Sequence, residues 1–231
     1  MSIIYAIFSI FVLLFYLNMR IFEQYGVIPV DCVTILTNLS DYKSPNDKVS
    51  KLEKSGELIR LKKGLYVVSP EVTKQNLSVE LIANHIYGPS YISFESALSF
   101  YGLIPERVYN TKSATTKRKK KYQTPVGNFE YVTIPENYFS IGLNQHIIEN
   151  SYAFIIASPE KAICDLIMTT SGLRLQSQKA MNEYLSDDLR IDFDGERRFN
   201  PEIIEECVQY GYKKTELKLF HNFLTNITNK S

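Results

Sequence analysis

Lys48, Lys51 and Lys54 recur every three residues, and a Lys62-Lys63-Gly64 run follows them. On a helix that spacing drifts along one side instead of scattering. With Asn46 and Ser50, these lysines form a polar face rich in hydrogen-bond donors, the chemistry that reads base edges. Arg60, Lys62 and Lys63 are the candidate cations for phosphate. A solvated helix face has the same spacing, and so does a face that binds protein. A second basic run, Lys117-Arg118-Lys119-Lys120-Lys121, is a candidate for further phosphate contacts or for an acidic partner. Its plainer role is a solvated turn between strands.

Catalytic arrangements are sparse. His85, His146 and His221 stand apart, none at helical ligand spacing from another histidine or a cysteine. A Gly-x-Ser-x-Gly elbow, a P-loop and a Gly-x-Gly-x-x-Gly turn are all absent from the sequence. Asp192-Phe193-Asp194 has the spacing with which two carboxylates share a divalent metal, as nucleotidyl transfer requires. That chemistry also wants a Gly-Ser phosphate-holding turn upstream, and the chain has no Gly-Ser dipeptide. With Gly195 directly after it, the pair reads as an acidic turn. The expectation is a non-enzyme with no metal and no cofactor.

The elements that would carry these residues follow from local signals. Arg20 to Tyr25 is a short amphipathic start ended by Gly26, and a second helix can begin at Pro29 and run to about Leu39. Ser44-Pro45-Asn46-Asp47 combines an N-cap serine, proline at the first helical position and an early acid, predicting a helix to Ser55 stopped by Gly56. Val49 and Leu52 are its inward pair. Two short β-like runs around Lys62-Lys63-Gly64 then make a hairpin closed by Ser69-Pro70. Three helices followed by a hairpin is the order of a winged helix-turn-helix, whose third helix enters the major groove while the hairpin lies along the backbone.

Beyond residue 70 the predicted elements alternate. Helices are expected at 78–87, at 93–101, from Ser158-Pro159 to Gly172, and from Pro201 onward; strands are expected at 107–116, 127–134 and 152–157. The fold class is therefore α+β: a winged helix-turn-helix at 19–70, then a mixed α/β domain at 71–231. Overall charge is uninformative, with 26 basic against 25 acidic side chains in 231 residues, yet it is segregated. Residues 107–121 hold seven cations and no acid, while 183–206 hold nine acids against three arginines. A hydrophobic share of 45% suffices for a core and excludes a wholly disordered chain. Three scattered cysteines fit neither a disulfide scaffold nor a four-ligand zinc site, and they suit a reducing cytoplasm.

Three strings, K-L-E-K-S-G-E-L-I-R-L-K-K-G-L-Y (51–66), Y-I-S-F-E-S-A-L-S-F-Y-G-L-I-P-E (91–106) and A-S-P-E-K-A-I-C-D-L-I (157–167), in this order and spacing resemble the AbiEi-like antitoxins of type IV, abortive-infection toxin–antitoxin systems in bacteria. The resemblance spans roughly Met19 to the end of the helix in the 160s, and more loosely the remainder. It implies a winged helix that binds inverted repeats in its own promoter and represses the operon. It also implies a C-terminal domain that neutralises a nucleotidyltransferase-like toxin without a stable complex. Transferred to this sequence, the recognition helix is Asn46 to Lys54 and the wing is Arg60 to Val67. The alternative is a stand-alone winged-helix regulator, or a protein-interaction module with no toxin partner.

Residues 1–18 depart from that family. Ile3 to Leu17 is apolar at every position but Ser9. As a helix it rises about 22 Å, short of a hydrocarbon core of about 30 Å. Three readings stay open: translation starting at Met19, a short anchor with Arg20 on the cytoplasmic side, and a buried helix.

Overall fold

The computed structural model describes residues 22–106, 108–148, 151–191, 193 and 199–228. The run 3–17, Arg20, Arg107, Asp192 and Asp194 lie outside them. The described residues form a mixed α+β fold with nine α-helices, a three-stranded antiparallel sheet and a six-stranded mixed sheet. Two compact units divide the chain: one runs to Ile82 and adds Thr124–Val126, and the other holds the rest. The division drawn from sequence, at residue 70, precedes this one. Among the described residues no helix is long and apolar enough to cross a membrane.

In the first unit, Val30–Asp31 (β1), Leu58–Lys62 (β2) and Leu65–Val68 (β3) form a sheet in the order β1-β3-β2. Helices Cys32–Asn38 (α1) and Pro45–Lys54 (α2) pack on it. The core is Ile35 and Leu39 against Val49 and Leu52, with Leu58, Tyr66 and Val68 from the sheet. Here the structure departs from the sequence reading of a helix from Pro29. Val30–Asp31 pairs with β3 instead, and the helix starts at Cys32 because Asp31 caps it. The Asp31 carboxylate accepts from the Thr34 N–H and the Thr34 hydroxyl, both at 2.9 Å, which holds that carboxyl below its ordinary range. Ser69-Pro70 does more than close the hairpin, because it opens a one-turn helix, Pro70–Thr73 (α3).

A helix at Val79–Ile86 (α4) leads into the second unit. Its sheet runs in the order β6-β7-β5-β4-β9-β8, with strands Ser90–Ile92 (β4), Asn110–Thr115 (β5), Lys120–Thr124 (β6), Gly127–Thr133 (β7), Leu143–Ile148 (β8) and Tyr152–Ala157 (β9). β4 runs parallel to β9 and antiparallel to β5, and β5 is parallel to β7. Phe94–Phe100 (α5), Pro159–Thr169 (α6), Gln178–Glu183 (α7), Pro201–Tyr210 (α8) and Lys214–Thr228 (α9) are its helices. Sequence reading missed β4, β6 and β8. β6, Lys120–Thr124, begins inside the basic run, which therefore is part turn and part edge strand.

α6 is buried from Glu160 to Met168 without a break, although its sequence includes Lys161 and Asp165. Both are 0% exposed and one helical turn apart, with Nζ 3.1 Å from Oδ1. That approach lies off the hydrogen-bond direction, so Oδ1 is held by charge alone. The other carboxylate oxygen accepts from the Ser93 hydroxyl at 2.6 Å and the Tyr91 hydroxyl at 3.0 Å. Burial, with Asp165 beside it, pushes the Tyr91 phenol well above its ordinary range and keeps it a donor. Lys161 donates to the Tyr138 carbonyl at 3.1 Å and lies over the Tyr138 ring, 2.9 Å from its centroid.

Removing one charge from such a pair leaves the other buried and uncompensated. Asp165→Ala and Lys161→Met are each expected to destabilise the protein by about 3–5 kcal/mol, and the double variant Lys161→Met/Asp165→Leu by much less. Urea denaturation followed by circular dichroism checks this; single variants as stable as the parent would remove the pair from the core's energetics.

Candidate nucleic-acid interface

The α2 helix carries most of the candidate residues. Pro45 at its first turn and Asp47 near its positive end favour the start, although the Ser44 hydroxyl makes no capping bond. Val49 and Leu52 are buried, which turns Asn46, Asp47, Ser50, Lys51 and Lys54 outward, all exposed. Ser50 Oγ donates back to the Asn46 carbonyl at 3.1 Å. Lys48 differs from its two companions. It is half-buried, with Nζ 5.5 Å from the centroid of the Tyr42 ring, so it flanks the exposed face.

The hairpin brings the remaining candidates beside the helix. Arg60 on β2 reaches Glu53 on α2 at 3.9 Å, with both side chains partly open to water. Lys62 ends β2 at a bulge, and Lys63 is exposed at the tip. The tip turns at Gly64, whose φ of +79° is the left-handed region that a side chain resists. An added Cβ there meets nothing within 4 Å. The eight predicted DNA contacts thus fall on one unit: Asn46, Ser50, Lys51, Lys54 and Lys63 are exposed, Lys48 sits on an aromatic ring, Arg60 sits beside a carboxylate, and Lys62 is half-buried at the bulge.

The second basic run lies in the other unit. Lys117 to Lys121 are all exposed, but three of the five are engaged. Lys117 donates to the Gly88 carbonyl and lies 5.5 Å from the Tyr87 ring centroid. Lys120 lies 5.5 Å from the same ring and 4.9 Å from that of Tyr122. Lys121 pairs with Glu130 at 3.1 Å. Arg118 and Lys119 have no ion-pair or ring partner among the described residues. Tyr122 directly follows the run and was open to notice, whereas Tyr87 reaches it only through the fold.

The hydroxyl, ammonium and carboxylate of Ser93, Lys161 and Asp165 are a set that catalysis can use, and sequence reading did not link them. Each is fully buried, so their arrangement is a structural network. The strings at 91–106 and 157–167 meet at this network. A cavity of about 420 Å³ in the second unit is lined by Glu95, Leu98, Ile104, Glu106, Val108 and Tyr109 among others. Lys112 holds Glu95 at 2.9 and 3.0 Å, and Arg190 holds Glu106 at 2.6 Å. The Arg190 hydrogen bond keeps the Glu106 carboxyl below its ordinary range.

No protein-family model matches the chain, and no curated protein is detectably similar to it.

The hairpin tip offers a check of the local backbone. Gly64→Ala is expected to cost about 1–2 kcal/mol from left-handed strain alone. Gly142→Ala should cost more, because its Cβ would also stand 2.7 Å from Ile203 Cγ2 at φ +58°. Thermal denaturation of the two variants gives the order; equal melting temperatures would contradict it.

Proposed function

We propose that the chain is a DNA-binding repressor of the antitoxin kind, acting through a winged helix at its N-terminal end. The observation that carries this reading is α2, which docks through Val49 and Leu52 and leaves Asn46, Ser50, Lys51 and Lys54 facing water beside a lysine-tipped hairpin. The order α1, α2, β2, β3 suits a helix in the major groove with the hairpin on the flanking phosphates. Lys51 and Lys54 are the donors nearest the middle of the exposed face, and Lys62 and Lys63 supply positive charge for the backbone.

The toxin pairing rests on the resemblance of the 51–66, 91–106 and 157–167 strings to AbiEi-like antitoxins. On that reading the second unit neutralises a nucleotidyltransferase-like toxin encoded by a neighbouring gene, without forming a stable complex with it. A second reading, a winged helix that binds protein and no DNA, draws on Asp47, an exposed acid on the same face as Lys51 and Lys54. A carboxylate there is unfavourable to phosphate and suits a partner with mixed charge.

Gel shifts on the chain's own promoter fragment, across a salt series, separate the two. Lys51→Ala and Lys54→Ala are each expected to weaken binding by about 1–3 kcal/mol, and Lys62→Ala/Lys63→Ala to flatten the log–log salt slope by about one unit per lost contact. Unchanged affinity and slope in every variant would refute DNA binding. Glu53→Gln frees Arg60 and is expected to steepen the slope by about one unit; a flatter slope would remove Arg60 from the contact set.

A further inference from the structure

The two edges of the six-stranded sheet are built differently. β6 closes one edge and carries Lys120 and Lys121, charges that discourage a further strand from pairing there. β8 closes the other edge with Leu143-Asn144-Gln145-His146-Ile147-Ile148, six residues without a formal charge. It pairs antiparallel with β9 along its whole length, from Leu143 opposite Ala157 to Ile148 opposite Tyr152. In such a ladder every second residue turns its N–H and C=O away from the partner, so β8 presents a row of backbone donors and acceptors at its open side.

Both faces of this edge are apolar at its end. Ile147 is 65% exposed and Ile148 37%, on opposite faces because successive residues alternate. His146 shares the face of Ile148, and Phe100 packs edge-on to it with ring centroids 4.9 Å apart. Phe100 also packs on Phe154 of β9, which stiffens the strand, yet keeps 38% of its own surface exposed. An uncharged edge of this length, with apolar side chains exposed at its end, is the kind that pairs with another strand unless something blocks it.

We propose that β8 is a self-association surface, at which a second copy of this chain adds its own β8 antiparallel and extends the sheet across a two-fold axis. Self-complementarity argues for this occupant. A two-fold antiparallel pairing joins identical edges and is closed, so it ends at a dimer. Because β8 carries no formal charge, its pairing with itself opposes no like charges, and it covers Ile147 on one face and Ile148 on the other. The same operation on β6 would bring lysines against lysines. A head-to-tail union of β8 with β6 would leave Ile147 beside ammonium groups and an open edge at each end. The pairing does not depend on whether the chain binds DNA.

Sedimentation velocity on the full chain over the micromolar range tests the assignment. The expected mass is twice the 26.6 kDa of one chain. Ile147→Lys, a change at an exposed position that leaves the core intact, puts a charge into both halves of the interface. It is expected to raise the dimer dissociation constant about tenfold or more. Val33→Lys, at a site on α1 that is 72% exposed, is expected to leave the dimer as it is. A monomer at every concentration overturns the proposal, as does a dimer that Ile147→Lys leaves unchanged. Species that keep growing beyond the dimer overturn the closed two-fold pairing.

Discussion

The buried pair of Lys161 and Asp165 sets the terms for the second unit. Taking two charges out of water costs several kcal/mol each, and only good partners offset it. Asp165 gains two hydroxyl donors from β4 and the turn after it, at Tyr91 and Ser93. Lys161 gains the Tyr138 carbonyl and ring from the segment before β8. One helix turn therefore ties together segments some seventy residues apart in the chain, as the separation of Ser93 and Asp165 records. An apolar helix in the same place would bury as well but would accept several rotations; the charged pair accepts few. The local cost is visible at α5. Its N-cap serine turns to Asp165 instead of capping, and the next residue, Phe94, adopts a φ of +57° that a bulky side chain resists.

The charges on the surface are less free than a count implies. Lys48, Lys117 and Lys120 lie over tyrosine rings, and Arg60 and Lys121 lie by carboxylates. Such surface contacts are worth little in energy, commonly below about 1 kcal/mol each. Their effect is geometric: they set long side chains beside particular rings and carboxylates. Lys51, Lys54 and Lys63 are exposed to water.

The edges of the large sheet show the same division between restraint and availability. Lysines at β6 oppose further pairing, whereas β8 has its aromatic support on one side and an open backbone on the other. Nothing in the hydrophobic pattern of β8 distinguished it from a loop, because Asn144, Gln145 and His146 interrupt the apolar positions. Its pairing with β9 made it a strand.

The sequence by itself determined where several helices begin. Ser44-Pro45, Ser158-Pro159 and Asn200-Pro201 start α2, α6 and α8, since a proline that lacks an N–H loses nothing at the first turn. It also determined the Lys62-Lys63-Gly64 hairpin, because only glycine turns cheaply at a φ of +79°, and the inward pair Val49 and Leu52, because their spacing matches the helix. These signals are local, and local chemistry is sufficient for them. The tertiary structure alone decided that Pro29 precedes a strand, that the basic run ends in β6, and that Tyr42, Tyr87 and Glu53 steady particular cations. It alone brought Tyr91, Ser93, Lys161 and Asp165 together. Each of those outcomes depends on a partner distant in sequence, and a buried charge or an edge strand gains its meaning only from what the fold sets beside it.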